Sequence, residues 1–279
     1  MYQIKLMLKR KEFTVCLFIG MAVAFTAFFI SCKTYYGVDA YAVLPANIEY
    51  FGLDSNEMTG KVMMFALPFL AVIPFADSYI TDIQNYTLPI LINRVGARRY
   101  YYEKGLAASL GAFLIVVIPF LSNLLLCLAA FPLTSTRTCL NDAAQTTFYS
   151  EFTMSKILFP RFSMQHPYLY ILFFIFLTAI FYSLLAFCIY SISYFLSKNR
   201  VVLLSLFFLI TALTMYIDEM IPRESKFPAL YIGSYLYARD TMPRKTPLIL
   251  LAYFLIVIAI PAIISPFAVK KLKKNGGRG

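Results

Sequence analysis

From Gly105 to Phe131 the chain carries no charged residue, and that run constrains the fold more than any other feature. A helix that crosses a bilayer needs about 20 mostly apolar residues. Backbone N–H and C=O groups in hydrocarbon must pair within their own segment, so such a run is a helix and not an open strand. Comparable segments occur at Phe13–Ser31, Tyr168–Ser197, Val201–Ile217 and Pro247–Val269. A shorter one, Val62–Ala76, reaches crossing length if Lys61 snorkels outward and Ser78–Ile80 extend it past Asp77. The expected fold is all-α integral membrane. One transmembrane domain covers residues 1–279, with six transmembrane helices at about 13–31, 62–80, 105–131, 168–197, 201–217 and 247–269. Pro68, Pro74, Pro119, Pro261 and Pro266 lie within these helices as candidate kinks.

Composition agrees with a lipid solvent. The chain is 60% hydrophobic and 14% charged, where soluble domains carry roughly 25% charged residues. The basic start, Lys5, Lys9, Arg10 and Lys11, resembles that of a secretory signal. The apolar stretch that follows is as long as a full crossing and lacks a small-x-small cleavage site, so a retained first span is expected. Within residues 1–12, Lys5, Lys9 and Glu12 share one helical face while Ile4, Met7 and Leu8 oppose it, the pattern of an interfacial helix. The alternative is an ordinary positive start to a first span.

Charge distribution fixes an expected orientation. With the N-terminus inside, the cytoplasmic segments hold 15 of the 25 basic residues and four acids (Glu12, Asp77, Asp82 and Glu103), which together make up the whole net charge of +11. The ten basic and ten acidic residues left for the outer loops cancel. Anionic lipid and the membrane potential favour that asymmetry. The basic balance therefore reads as topology, and no nucleic-acid partner is needed to explain it. Both termini are expected in the cytoplasm of a multi-pass cell-membrane protein, with long outer loops at Cys32–Lys61, Pro132–Pro167 and Asp218–Thr246. Lys198–Asn199–Arg200 forms a tight inner hairpin.

Catalytic chemistry is sparse. There is no GxxxxGK[ST] phosphate loop and no GxGxxG turn, so nucleotide hydrolysis by this chain alone is not expected. The single histidine, His166, falls in a predicted outer loop, and no paired aspartates face each other across spans. The five cysteines show no CxxC spacing, which argues against a metal site or a disulfide framework. Cys32 and Cys139 fall on the same outer side and either pair or remain separate thiols. The span interiors carry almost no charge to mark an ion-coupled pathway. Of the 48 aromatic residues, Tyr100, Tyr101, Tyr102, Tyr168 and Tyr170 read as an interfacial belt.

The segment PFADSYITDIQNYTLPILINRVGARRYYYEKGLAASLGAF is the most specific stretch. Leu88, Leu91, Ile92 and Val95 recur at i, i+3, i+4 and i+7, one face of a helix, with Pro89 where a helix start tolerates it. Arg94, Arg98, Arg99 and Lys104 follow. A short helix with an apolar face and a basic edge suits a partner's groove. A plain connecting loop obeying the positive-inside rule carries the same residues.

This run, from Asp77 to Lys104, resembles the cytoplasmic loop of type-2 ABC exporter permeases, in particular small six-span permeases of Gram-positive bacteria. The QHPYLYIL opening of span four and the VVLLSLFF that follows the Lys198–Arg200 hairpin resemble the same family more weakly. In such permeases a glycine commonly follows the first acidic turn, where this chain has Asn85–Tyr86–Thr87. Family members also have an N-terminal amphipathic helix beside the ATPase. The resemblance implies the permease subunit of an ABC exporter, not itself an enzyme, moving an amphipathic peptide, lipid or drug outward. It implies separate ATPase subunits that carry ATP and magnesium, and a second permease copy or a similar permease. The implied coupling loop is 77–104, with a coupling helix between spans two and three and contacts at Asp77, Asp82, Ile83, Leu88, Leu91, Ile92, Arg94, Arg98 and Arg99. A non-transporting assembly or immunity factor that binds a partner protein is the alternative.

Overall fold

The computed structural model describes residues 2–38, 43–50, 58–133, 158–196, 200–221, 230–236 and 246–276, and every regular element among them is helical. The Lys198–Asn199 hairpin and Cys139 lie outside these residues. In chain order the helices are α1 (Tyr2–Leu8), α2 (Lys11–Thr34), α3 (Ala46–Glu49), α4 (Met58–Val72), α5 (Ser78–Gln84), α6 (Leu88–Val95), α7 (Ala97–Ala130), α8 (Pro160–Gln165), α9 (Pro167–Ile192), α10 (Arg200–Met220), α11 (Gly233–Leu236) and α12 (Pro247–Gly276). Among the described residues four helices are long and apolar enough to cross a membrane: α2, α7, α9 and α12.

Helix α7 is the hub, packed against α1, α2, α4, α9 and α12. Small residues let its neighbours approach. On α2 the buried face is Cys16, Gly20, Ala24, Ala27 and Ser31, a stripe of the kind that draws apolar helices together by close backbone contact. Gly20 sits against Pro119 of α7, whose Cγ lies 2.9 Å from where a Cβ would stand. Gly105 of α7 is closer still to α9, since a Cβ there would meet the Phe187 ring at 2.1 Å.

The bundle has two distinct ends. The starts of α2 and α7 and the last turns of α9 and α12 meet at one, where Tyr101 of α7 bonds Ser191 of α9 at 2.8 Å and the Pro261 carbonyl of α12 at 3.2 Å. At the other, Tyr168 at the start of α9 donates to the Leu133 carbonyl just after α7, at 2.7 Å. Phe28 and Tyr35 from the end of α2 pack edge-on against Phe131. Thus α2 and α7 run in one direction and α9 and α12 in the other.

The sequence reading differs from the structure in several places. The expected span 62–80 is not one helix. It breaks after Val72 and resumes at Ser78, because Pro74 has no N–H to donate and disfavours helical geometry at Ile73. The N-terminal segment ends at Leu8, and its buried face is Gln3 and Met7, with Ile4 half-buried. Met7 lies on Gly111 of α7, so α1 packs on the chain itself, and Leu8 faces outward. Tyr100, Tyr101 and Tyr170 are buried, and of the expected belt Tyr102 and half-buried Tyr168 remain at the surface.

Candidate functional site

Proline starts this site by breaking α4. The turn Ile73–Asp77 brings Asp77 inward, fully buried, and the Arg10 guanidinium, between α1 and α2, bonds its carboxylate at 3.0 Å. The same nitrogen lies 3.4 Å from the Pro74 carbonyl, and the guanidinium stands over the Phe75 ring at 4.9 Å. Arg10 thus neutralises Asp77 and serves a carbonyl at the helix break. A buried carboxylate without such a partner would be very costly.

A second pair lies alongside. Lys104, in the second turn of α7, is buried and donates to the Asp82 carboxylate of α5, which also accepts the Tyr100 hydroxyl. Its ammonium lies 5.1 Å from the Tyr100 ring and 5.6 Å from Phe75, so Phe75 has a cation within cation–π reach on either hand. Two cations and two anions balance, as a low-dielectric setting demands.

Tyrosines fill the space behind the charges. Tyr79 stacks on Tyr194 with ring centroids 3.9 Å apart, and the Tyr194 and Tyr190 hydroxyls share a hydrogen bond of 2.6 Å. The Tyr194 carbonyl, just past the end of α9, accepts from Lys271 of α12 at 2.6 Å, which satisfies one of the acceptors a helix end leaves open. The result ties the α1–α2 junction, the α4–α5 break and the starts or ends of α7, α9 and α12 into one body.

Hanging from this junction is α6, whose bounds, Leu88–Val95, coincide with the helix expected from periodicity. It starts after Tyr86, a left-handed residue at φ 55°, and ends at Gly96 with φ 84°. Within Asn85–Tyr86–Thr87 the left-handed residue is Tyr86. The expected docking face is differently used. Leu88 and Ile92 are buried and Leu91 half-buried, with α6 packed on α7 and α12. The outward edge carries Tyr86, Ile90, Asn93 and Arg94, with Ile90 69% exposed.

Of the coupling candidates, Asp77 and Asp82 are consumed by internal pairs, and Ile83 is half-buried against the core. Arg94, Arg98 and Arg99 are exposed, Arg99 pairing with Glu103 one turn on at 2.7 Å. Arg10 and Lys104 were legible only as positive-inside charges. The signal that would have found them is Asp77 at the end of an apolar run, since an acid there requires a cation. Among the described residues no group of three or more His, Cys, Asp or Glu side chains comes together to hold a metal. Comparison with protein-family models, curated proteins and solved structures finds no match to this chain.

Proposed function

We propose that this chain is the permease subunit of an ABC exporter, crossing the membrane six times with both termini and the charge junction on the cytoplasmic side. The observation that carries this reading is α6. It is a short helix suspended between the broken second span and α7, with its inner face rooted in the bundle and an outer edge of Tyr86, Ile90 and Arg94 presented away from it. A separate ATPase subunit seated on that edge would move a lever fixed to the Arg10–Asp77 and Lys104–Asp82 pairs. Displacement by ATP binding then passes to the ends of five helices as one body, a two-state element of the kind transmission requires. ATP and magnesium belong to the ATPase subunits, and a second copy or a similar permease completes the pathway for an amphipathic substrate. α1, beside α2 and against α7, fits the same reading as the amphipathic N-terminal helix.

The buried and exposed faces of α6 decide which substitution is informative. Ile92→Asp would put a charge in this chain's own core and fold poorly, so it says little about partners. Ile90→Asp alters only the outer edge. The expected outcome is normal insertion and unfolding temperature, with loss of the co-purifying ATPase or of substrate-stimulated ATP turnover. A full complement of coupled ATPase in Ile90→Asp and Arg94→Glu membranes would leave α6 a mere connection and favour a partner-binding factor that does not transport.

A further inference from the structure

Between α7, α9 and α12, near the basic end, lies an apolar groove of about 260 Å³. Phe187, Val257 and Pro261 form its floor, and Tyr102, Leu184 and Ala262 its sides. The floor owes its position to Gly105, since any side chain there would push the Phe187 ring away. Tyr102 and Ala262 are exposed at the rim, so the groove opens sideways, toward whatever surrounds the helices. One turn before Tyr102 on α7, about 6 Å along the axis, Arg98 is exposed and makes no ion pair with any described residue.

We propose that this groove and Arg98 form a site for one anionic phospholipid, with an acyl-chain segment in the groove and its phosphate at the guanidinium. Three observations choose this occupant. The volume falls below the roughly 300–1,000 Å³ that drug-sized ligands fill, which suits a length of chain better than a compact molecule. The groove walls supply only side chains without charge, so selectivity has to come from outside it. The charge outside is an arginine, whose planar fork matches phosphate oxygens, placed where basic residues between membrane helices meet lipid headgroups. A zwitterionic lipid fits the groove equally but gains less at Arg98. The site depends on the helices standing in a bilayer, and not on the exporter reading.

The test uses the full chain purified in mild detergent and offered equimolar phosphatidylglycerol and phosphatidylcholine, with retained lipid read by native mass spectrometry. The wild-type protein should keep phosphatidylglycerol preferentially. Arg98→Gln should cut that preference about fivefold, the weight of one basic residue near an anionic surface, and Arg98→Lys should largely preserve it. Ala262→Phe, at an exposed position, should fill the groove and reduce retention of both lipids while leaving the unfolding temperature within a few degrees of wild type. Equal retention of the two lipids by the wild type, or a preference untouched by Arg98→Gln, would overturn the proposal. So would efficient disulfide crosslinking of two chains through Ala262→Cys in native membranes, which would give the groove to a second copy.

Discussion

At the basic end of the bundle the ties run through formal charges and packed tyrosines, whereas at the opposite end most run from one neutral side chain to a backbone carbonyl. The first set comprises Arg10–Asp77, Lys104–Asp82–Tyr100 and Lys271 on the Tyr194 carbonyl. The second comprises Asn123 to Ala24, Tyr168 to Leu133 and Thr178 to Leu236, with two carboxylates as charged exceptions, Asp218 and Glu49, the latter accepting from the Tyr35 hydroxyl at 2.7 Å. The two chemistries fail differently. Removing one member of a buried charge pair strands the other, so that end behaves as a unit. A neutral side chain bonded to a carbonyl that its own helix already satisfies, as Asn123 is to Ala24, can be lost with little consequence. A junction that moves as one body needs the first kind of tie, and a bundle end that adapts to its surroundings is served by the second.

The largest effect should therefore come from Asp77. Asp77→Ala leaves Arg10 mostly buried beside a helix break, and breaking such a pair costs about 3–5 kcal/mol. The double variant Arg10→Met with Asp77→Leu removes both charges, and should recover most of that loss. Unfolding can be followed with a thiol-reactive fluorophore, since Cys16, Cys127 and Cys188 are buried. Equal damage in the single and double variants would mean that packing, and not charge, holds this end.

Next in size is the Asp218 exception at the far end. Asp218 of α10 is 3% exposed and accepts from the Leu230 and Tyr231 backbone N–H groups at 2.8 and 2.6 Å. Asp218→Ala removes one acceptor shared by two backbone donors, and the loss expected is about 1.5–3 kcal/mol in all, the range for a hydrogen bond to a charged group. The segment before α11 should loosen first, visible as faster amide exchange there while α7 stays protected. Loosening that spread equally to α7 would erase the distinction between the ends.

What the sequence made legible follows the same division. Apolar length alone located α2, α7, α9 and α12, and two turns of periodicity bounded α6 to the residue. The small-residue face of α2, Gly20, Ala24, Ala27 and Ser31, emerges only once the helix is seen against α7. In the expected span 62–80 Pro74 was legible only as a candidate kink, because hydropathy runs unbroken through it, while the backbone rule for proline ends the helix there. The charge junction was hidden for another reason. Arg10 and Asp77 are far apart in sequence, and their pairing depends on how three helix ends converge. Positive-inside counting placed both on one side but treated them as solvated charges. Likewise, the apolar face of α6 reads the same in sequence whether it awaits a partner or covers its own bundle, and here it covers α7 and α12.

The smallest effect should come from Asn123, and it tests the comparison at its weak end. Asn123 is 1% exposed in the apolar half of α7 and donates to the Ala24 carbonyl of α2 at 2.9 Å. By position it is the polar residue most expected to act as glue between the two helices. Its acceptor, however, sits inside α2, where the helix supplies that carbonyl with its own N–H partner. Replacing the amide with leucine therefore leaves the Ala24 carbonyl paired and keeps a side chain of similar size. Polar contacts between membrane helices average only about 0.6 kcal/mol and reach at most about 1.7. Asn123→Leu should thus lower stability by about that average, far less than Asp77→Ala under the same fluorophore assay. A loss approaching that of Asp77→Ala would show that α2 and α7 are fastened at both ends by polar groups, and the basic end would then have no special claim to move as a unit.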